Sequence, residues 1–190
     1  FKLLKNSPVM LSEMLEILKF NYDRIDFVDE QVDLGFDCPL DLHCTYSRDQ
    51  ILVALDFMNP NTVREGTKYL PEKKIDVHFV TLNKSEKDYS PTTMYNDYSI
   101  NDTLFHWQSQ STTSKESNTG QRYINHKTCG VRELIFVRER KNTKLGASPY
   151  TFLGLADFVN CEGSKPMNIV WKLHKPIPAK YIKKTNKLVV

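Results

Sequence analysis

Apolar residues recur at helical spacing near the start of the chain and give way to alternation further on. Val9, Met10, Leu11, Met14, Leu15 and Leu18 follow Ser7-Pro8 at intervals of three and four. This spacing predicts a serine-capped helix with proline in its first turn, ending near Phe20. Ser47-Arg48-Asp49-Gln50 carries the serine and glutamine of a capping box and opens a second helix through Ile51, Leu52, Ala54, Leu55 and Phe57, which Met58-Asn59-Pro60-Asn61 stops. Residues 75–82 then alternate as a strand with one buried face, and His78 falls on its polar side, as a surface histidine would. Further strands are expected over 104–110, 133–137, 150–159 and 167–173. Polar turns at 141–146 and 162–166 separate the last three. Gly154 inside a strand predicts a bulge or a close backbone approach. Residues 111–120 lack any large apolar side chain and read as a flexible recognition loop, ordered only by a ligand. Pro176 and Pro178 mark an edge or exit segment, and 183–187 a basic tail.

Short helices followed by several short strands, without βαβ alternation, predict an α+β fold with a small curved sheet or barrel. A chain of 190 residues, 40% hydrophobic and 26% charged, can bury a sizeable core. No apolar run reaches the length of a bilayer crossing and the first residues make no secretory signal, so a cytoplasmic setting without membrane contact is expected. The chain begins with Phe1, as a fragment of a longer polypeptide would. The net charge of +3 allows nucleic-acid binding without arguing for it, because a binding face needs local charge. Cys38, Cys44, Cys129 and Cys161 are too sparse for a disulfide scaffold. With His43 and His126 they make no matched pair of chelating knuckles, so no metal is expected. The acidic run from Asp23 to Asp41 reads as a solvated connector.

The densest candidate chemistry lies around Phe105-His106-Trp107-Gln108-Ser109-Gln110. Tyr95, Asp97, Tyr98, Gln121, Arg122 and Tyr123 flank it. Rings that stack, amides that donate and accept, and one acid suit a planar polar ligand such as a nucleobase. Strand alternation places Phe105, Trp107 and Ser109 on one face and His106, Gln108 and Gln110 on the other, and does not say which lines a pocket. Phosphate contacts are sought at Lys84, Lys87, Lys115, Arg122, Arg138, Arg140, Lys141 and Lys144. A Gly-rich phosphate loop, a nucleophile elbow and a metalloprotease helix are all missing, so neither catalytic residues nor a cofactor are assigned.

Several runs resemble a known family. They are His43-Cys44-Thr45-Tyr46-Ser47-Arg48, Thr81-Leu82-Asn83-Lys84-Ser85, Thr92-Thr93-Met94-Tyr95-Asn96-Asp97-Tyr98, residues 104–110, Thr119-Gly120-Gln121-Arg122-Tyr123-Ile124, Phe152-Leu153-Gly154 and Gly163-Ser164-Lys165-Pro166-Met167. Together they are similar to the C-terminal domain of bacterial proteins that carry a phospholipase-D-type nuclease and a superfamily-2 helicase motor, among them modification-dependent (type IV) restriction endonucleases. The resemblance implies that residues 1–37 are a helical extension from the motor and 38–190 a DNA-recognition domain with a barrel-like core. It further suggests a barrel like the pseudouridine-synthase-associated and SET-and-RING-associated modules. The implied partners are double-stranded DNA carrying 5-methylcytosine or a related base, read by flipping, and the protein's own helicase and nuclease domains. Catalysis would belong to the ATP-dependent parent and not to this domain. In such a reader Asp97 would accept from the cytosine amino group, Gln108 or Gln110 would meet O2 or N3, and Tyr95, Tyr98, Trp107 or Tyr123 would sandwich the ring. The competing expectation is a regulatory module that docks on its own motor through Val9, Leu11, Leu15 and Leu18 and leaves DNA alone.

Overall fold

Val, Ile and Phe at alternate positions of two strands pack outward to opposite sides, so these strands form a centre that is covered on both faces. The computed structural model describes residues 7–22, 30–83, 97–144 and 146–178. Its elements in chain order are α1 (Pro8–Tyr22), β1 (Thr45–Tyr46), α2 (Arg48–Ala54), β2 (Thr67–Leu70), β3 (Ile75–Thr81), β4 (Tyr98–Ser99), β5 (Leu104–Gln108), α3 (Asn118–Ile124), α4 (His126–Cys129), β6 (Arg132–Arg138), β7 (Asn142–Thr143), β8 (Gly146–Ala147), β9 (Tyr150–Glu162) and β10 (Asn168–Leu173). One eight-stranded sheet runs β2-β3-β6-β9-β10-β5-β4, with β1 paired to β9 off that path and β7-β8 as a separate hairpin. β3 and β6 are parallel and the other pairs antiparallel. The fold is α+β.

β3 and β5 stand four strands apart in that order. A flat sheet would separate them by roughly 19 Å, at about 4.8 Å per strand. The rings of His78 on β3 and Trp107 on β5 instead have centroids 4.5 Å apart. The sheet therefore curls until its two limbs meet across one face. It does not close, since β2 and β4 end the path. Helix α3 bridges the limbs instead: Arg122 stacks over Tyr69 of β2 at 3.9 Å while Tyr123 meets Trp107 of β5 at 5.5 Å. Of the two architectures expected, the curved open sheet is the one present, and the described strands form no barrel.

The 13-residue strand β9 makes this curl possible. Its register shifts opposite Ile135/Phe136 and again opposite Val170/Trp171. Each shift bends the strand and increases its twist. Gly154 sits at the first, with φ +94, and a Cβ there would lie 2.7 Å from Leu42 Cδ1. Both the bulge and the close approach expected of this glycine are seen.

One core, under α2 and the segment around Leu34 and Leu40, takes Ile75, Val77, Phe79, Leu134, Phe136 and Phe152. The other fills the curl with Val80, Phe105, Trp107, Tyr123, Ile135, Ile169 and Trp171. Every residue of β3 is buried, which corrects the reading of His78 as a surface histidine. A parallel central strand covered on both sides has no polar face.

Residues 111–120 are also corrected. Ser117 Oγ donates to Ser114 O at 2.7 Å and accepts from Gly120 N at 3.1 Å, Lys165 N donates to Thr113 O at 3.1 Å, and α3 begins at Asn118. Backbone and hydroxyl bonds order this segment without a ligand. Residues 1–30 and 31–190 are two units. The larger unit takes in residues 31–37 through the buried Leu34. In the smaller, α1 starts where Leu11 N donates to Ser7 O at 3.0 Å, and none of its residues is buried. Residues 23–29 and the basic tail at 183–187 lie outside the described residues.

Candidate nucleic-acid interface

β5 alternates as its sequence predicts, with Phe105, Trp107 and Ser109 inward and His106, Gln108 and Gln110 partly exposed. Of the residues sought for a base pocket, Trp107, Asp97 and Tyr123 are only 5%, 2% and 1% exposed. Trp107 packs edge-on against Tyr123, and burial pushes the Tyr123 phenol above its ordinary range. Asp97 Oδ1 accepts from Gln108 N at 2.9 Å. The outward residues are engaged along the surface. Tyr98 stacks on His106 at 4.7 Å, Gln108 Nε2 donates to Asn168 Oδ1 at 2.7 Å, and Gln110 Nε2 donates to Glu65 Oε2 at 2.5 Å. Tyr95 lies outside the described residues. The structure thus divides the expected set between interior and outer surface, and does not gather it around one opening.

The interior holds a polar network that the strand pattern concealed. Arg122 Nε and Nη2 donate to Asp76 Oδ2 and Oδ1 at 2.5 and 3.1 Å, a forked pair with the aspartate wholly buried. Glu133 sits beside Asp76 across the parallel β3-β6 pair. Its Oε2 lies 2.6 Å from His78 Nε2, with side-chain exposures of 0% and 1%. Burial holds His78 down to about 4, and burial together with Asp76 raises Glu133 well above the carboxylate range. Arg122 answers Asp76, so Glu133 keeps its proton and shares it with a neutral imidazole. Trp107, Tyr123 and Trp171 wall this pair in, at 4.5, 5.5 and 5.5 Å from the imidazole.

Lys84 and Lys87 lie outside the described residues. Lys115 Nζ donates to Cys161 O at 3.3 Å, and Arg122 is committed to Asp76. Arg138, Arg140, Lys141 and Lys144 collect at the end of β6 and on the β7-β8 hairpin. The hairpin folds back because Ser148 N donates to Lys141 O at 3.0 Å and Thr143 Oγ1 to Gly146 O at 3.3 Å. A concavity of about 370 Å³ opens there. The deeply buried Leu82, Val137 and Leu153 form its floor, and Thr45, Thr143, Ser148, Thr151, Arg138, Glu139 and Arg140 line the rest.

Arg138 is held in place. Its Nε donates to Thr81 Oγ1 at 2.9 Å, Nη1 donates to Ser148 O at 3.4 Å, and the guanidinium lies over the Tyr150 ring at 4.4 Å. Arg140 is exposed, with Glu139 at 3.7 Å. Thr45, Ser148 and Thr151 were not singled out as site residues by the sequence, since Thr45 is on β1, Ser148 just before β9 and Thr151 on β9, and they share no spacing. Among the described residues no group of three or more His, Cys, Asp or Glu is placed to hold a metal ion, and no helix is long and apolar enough to cross a membrane.

Fold and site define an α+β domain with an open curled sheet and a cationic concavity at one end. The chain belongs to the family described as a domain of unknown function, DUF3427, which matches residues 40–184. No curated protein matches it significantly.

Proposed function

We propose that this chain is the DNA target-recognition domain of a modification-dependent (type IV) restriction enzyme and contacts DNA through the end of the sheet where β6 meets the β7-β8 hairpin. The observation that carries the reading is the pair Arg138 and Arg140 lining one concavity bordered by hydroxyl residues, with Lys141 and Lys144 flanking β7 next along the chain. Guanidinium, ammonium and hydroxyl groups are the usual partners of phosphate oxygens, and they fix register on a duplex without reading its sequence. The motif resemblance to nuclease-helicase restriction proteins supplies the partner, double-stranded DNA carrying a modified cytosine. Burial of Trp107, Tyr123 and Asp97 removes them from direct contact with a ligand in this conformation.

The test is fluorescence binding to matched duplexes with and without 5-methylcytosine over a range of salt. Tighter binding of the methylated duplex is expected, with log affinity falling by roughly one unit per unit of log salt for each phosphate neutralised. Equal affinity for both duplexes would remove methyl readout, and no binding to either would remove the DNA role.

The exposed Val9, Leu11, Leu15 and Leu18 of α1 favour a second reading, a module that docks on its own motor. Co-purification with a separated motor, unchanged by DNA, is the result that would support it.

A further inference from the structure

Arg138 is fixed by its neighbours without being neutralised by them. A hydroxyl, a carbonyl and an aromatic face set the plane of its guanidinium. Neither of its hydrogen bonds to described residues uses Nη2, and no described carboxylate forms an ion pair with it. Withdrawing a cation part-way from water without a counter-charge is costly, and an anion arriving at the free edge of the fork would relieve that cost. The space beside it is of small-ligand size, about 370 Å³. Its floor is apolar, made by Leu82, Val137 and Leu153. A bare inorganic ion would waste such a floor. An oxyanion carrying a flat organic body would use both parts, because a planar guanidinium matches two phosphate oxygens and the apolar floor accepts a ring. Glu139, also on the rim, disfavours a second anionic group on its side, which leaves the phosphate to Arg138.

We infer that this concavity is a receptor for one nucleoside phosphate, with its phosphate on Arg138 and its base over Leu82, Val137 and Leu153. The nucleotide is either a unit of a DNA strand, in which case the inference rests on the DNA-recognition reading, or a free nucleotide, in which case it does not. Calorimetric titration with dCMP, 5-methyl-dCMP and inorganic phosphate, alongside duplex binding, separates the two. Arg138→Met removes the charge at similar length, and Thr45→Trp fills the mouth from an exposed position that bears on neither core.

The expected result is that the wild type binds a nucleotide more tightly than inorganic phosphate, and that each variant weakens nucleotide binding at least tenfold with the melting temperature of Thr45→Trp unchanged. A strand as the source predicts the same loss for duplex; a free nucleotide predicts duplex binding untouched. Wild-type protein that binds nucleotide through Arg138 but no duplex keeps the receptor and overturns DNA recognition. Protein that binds duplex with neither variant having an effect, and binds no nucleotide, overturns the receptor alone. Equal affinity for inorganic phosphate and nucleotide overturns the role of the apolar floor and with it the inference.

Discussion

Arg122 and Arg138 occupy similar settings and have opposite partners. Each guanidinium lies over a tyrosine ring, Tyr69 at 3.9 Å and Tyr150 at 4.4 Å. Arg122 is forked onto the buried Asp76, whereas among the described residues Arg138 hydrogen-bonds a threonine hydroxyl and a carbonyl. The first has its counter-charge within the fold, inside the curl of the sheet. The second is fixed at the rim of a concavity, with no carboxylate paired to it among the described residues. A ring beneath an arginine therefore says little about its role; what answers its charge says more.

Replacing each arginine by methionine should break the comparison most visibly. Arg122→Met leaves Asp76 buried and unpaired and should destabilise the fold by about 3–5 kcal/mol. Arg138→Met removes ordinary hydrogen bonds at a half-exposed position and should cost about 1 kcal/mol. Urea unfolding of both variants measures the difference, and similar losses would mean that Arg138 is as structural as Arg122.

Next in size is Gly120→Ala, because α3 carries Arg122 to its partner and a Cβ at Gly120 would lie 2.0 Å from Ser114 O. Backbone has little room to yield there, so a loss of about 1–3 kcal/mol is expected in the same measurement.

The interior pair adds a pH signature. His78 and Glu133 together hold one proton in the fold, whereas an unfolded chain with ordinary values of 6.5 and 4.5 holds none above pH 6.5, one between these values and two below 4.5. The pair's contribution should fall as pH rises above 6.5 while Glu133 stays protonated, stay level between 4.5 and 6.5, and fall again below 4.5 until His78 titrates near 4. Glu133→Gln should abolish the alkaline limb and move the onset of acid loss up to about 6.5. Thermal melts across pH would show it, and an unchanged profile would refute the shared proton. The smallest expected effect is at the rim, where Arg140→Ala should leave the melting temperature alone and lower the salt slope of DNA binding by about one unit.

Strands β3, β5, β6, β9 and β10 were legible because β-branched and aromatic residues alternate there, and α2 because Ser47 and Gln50 form their capping box. Gly154 was legible for the same local reason. His78, Asp76 and Glu133 were not, since a period of two reveals alternation but not whether both faces are covered. α3 is only seven residues long and lacks an apolar stripe; the signal available for it was Ser117 as an N-cap. Clustering of Arg138, Arg140, Lys141 and Lys144 along the sequence could be read from the chain, yet the concavity that the two arginines line is assembled from positions as distant as Leu82 and Leu153. No spacing rule reaches that far.

The parallel pairing of β3 with β6 has a consequence for how the chain reaches its native state. His78 and Glu133 are 55 positions apart, and β4, β5, α3 and α4 all lie between them. The β3-β6 pairing must close a long loop before its contacts can form, which is expected to slow folding relative to a chain of local contacts. Ribosomal synthesis would then leave the central strand waiting with its curl-side face bare, since Phe105, Trp107, Tyr123 and Trp171 all emerge after it.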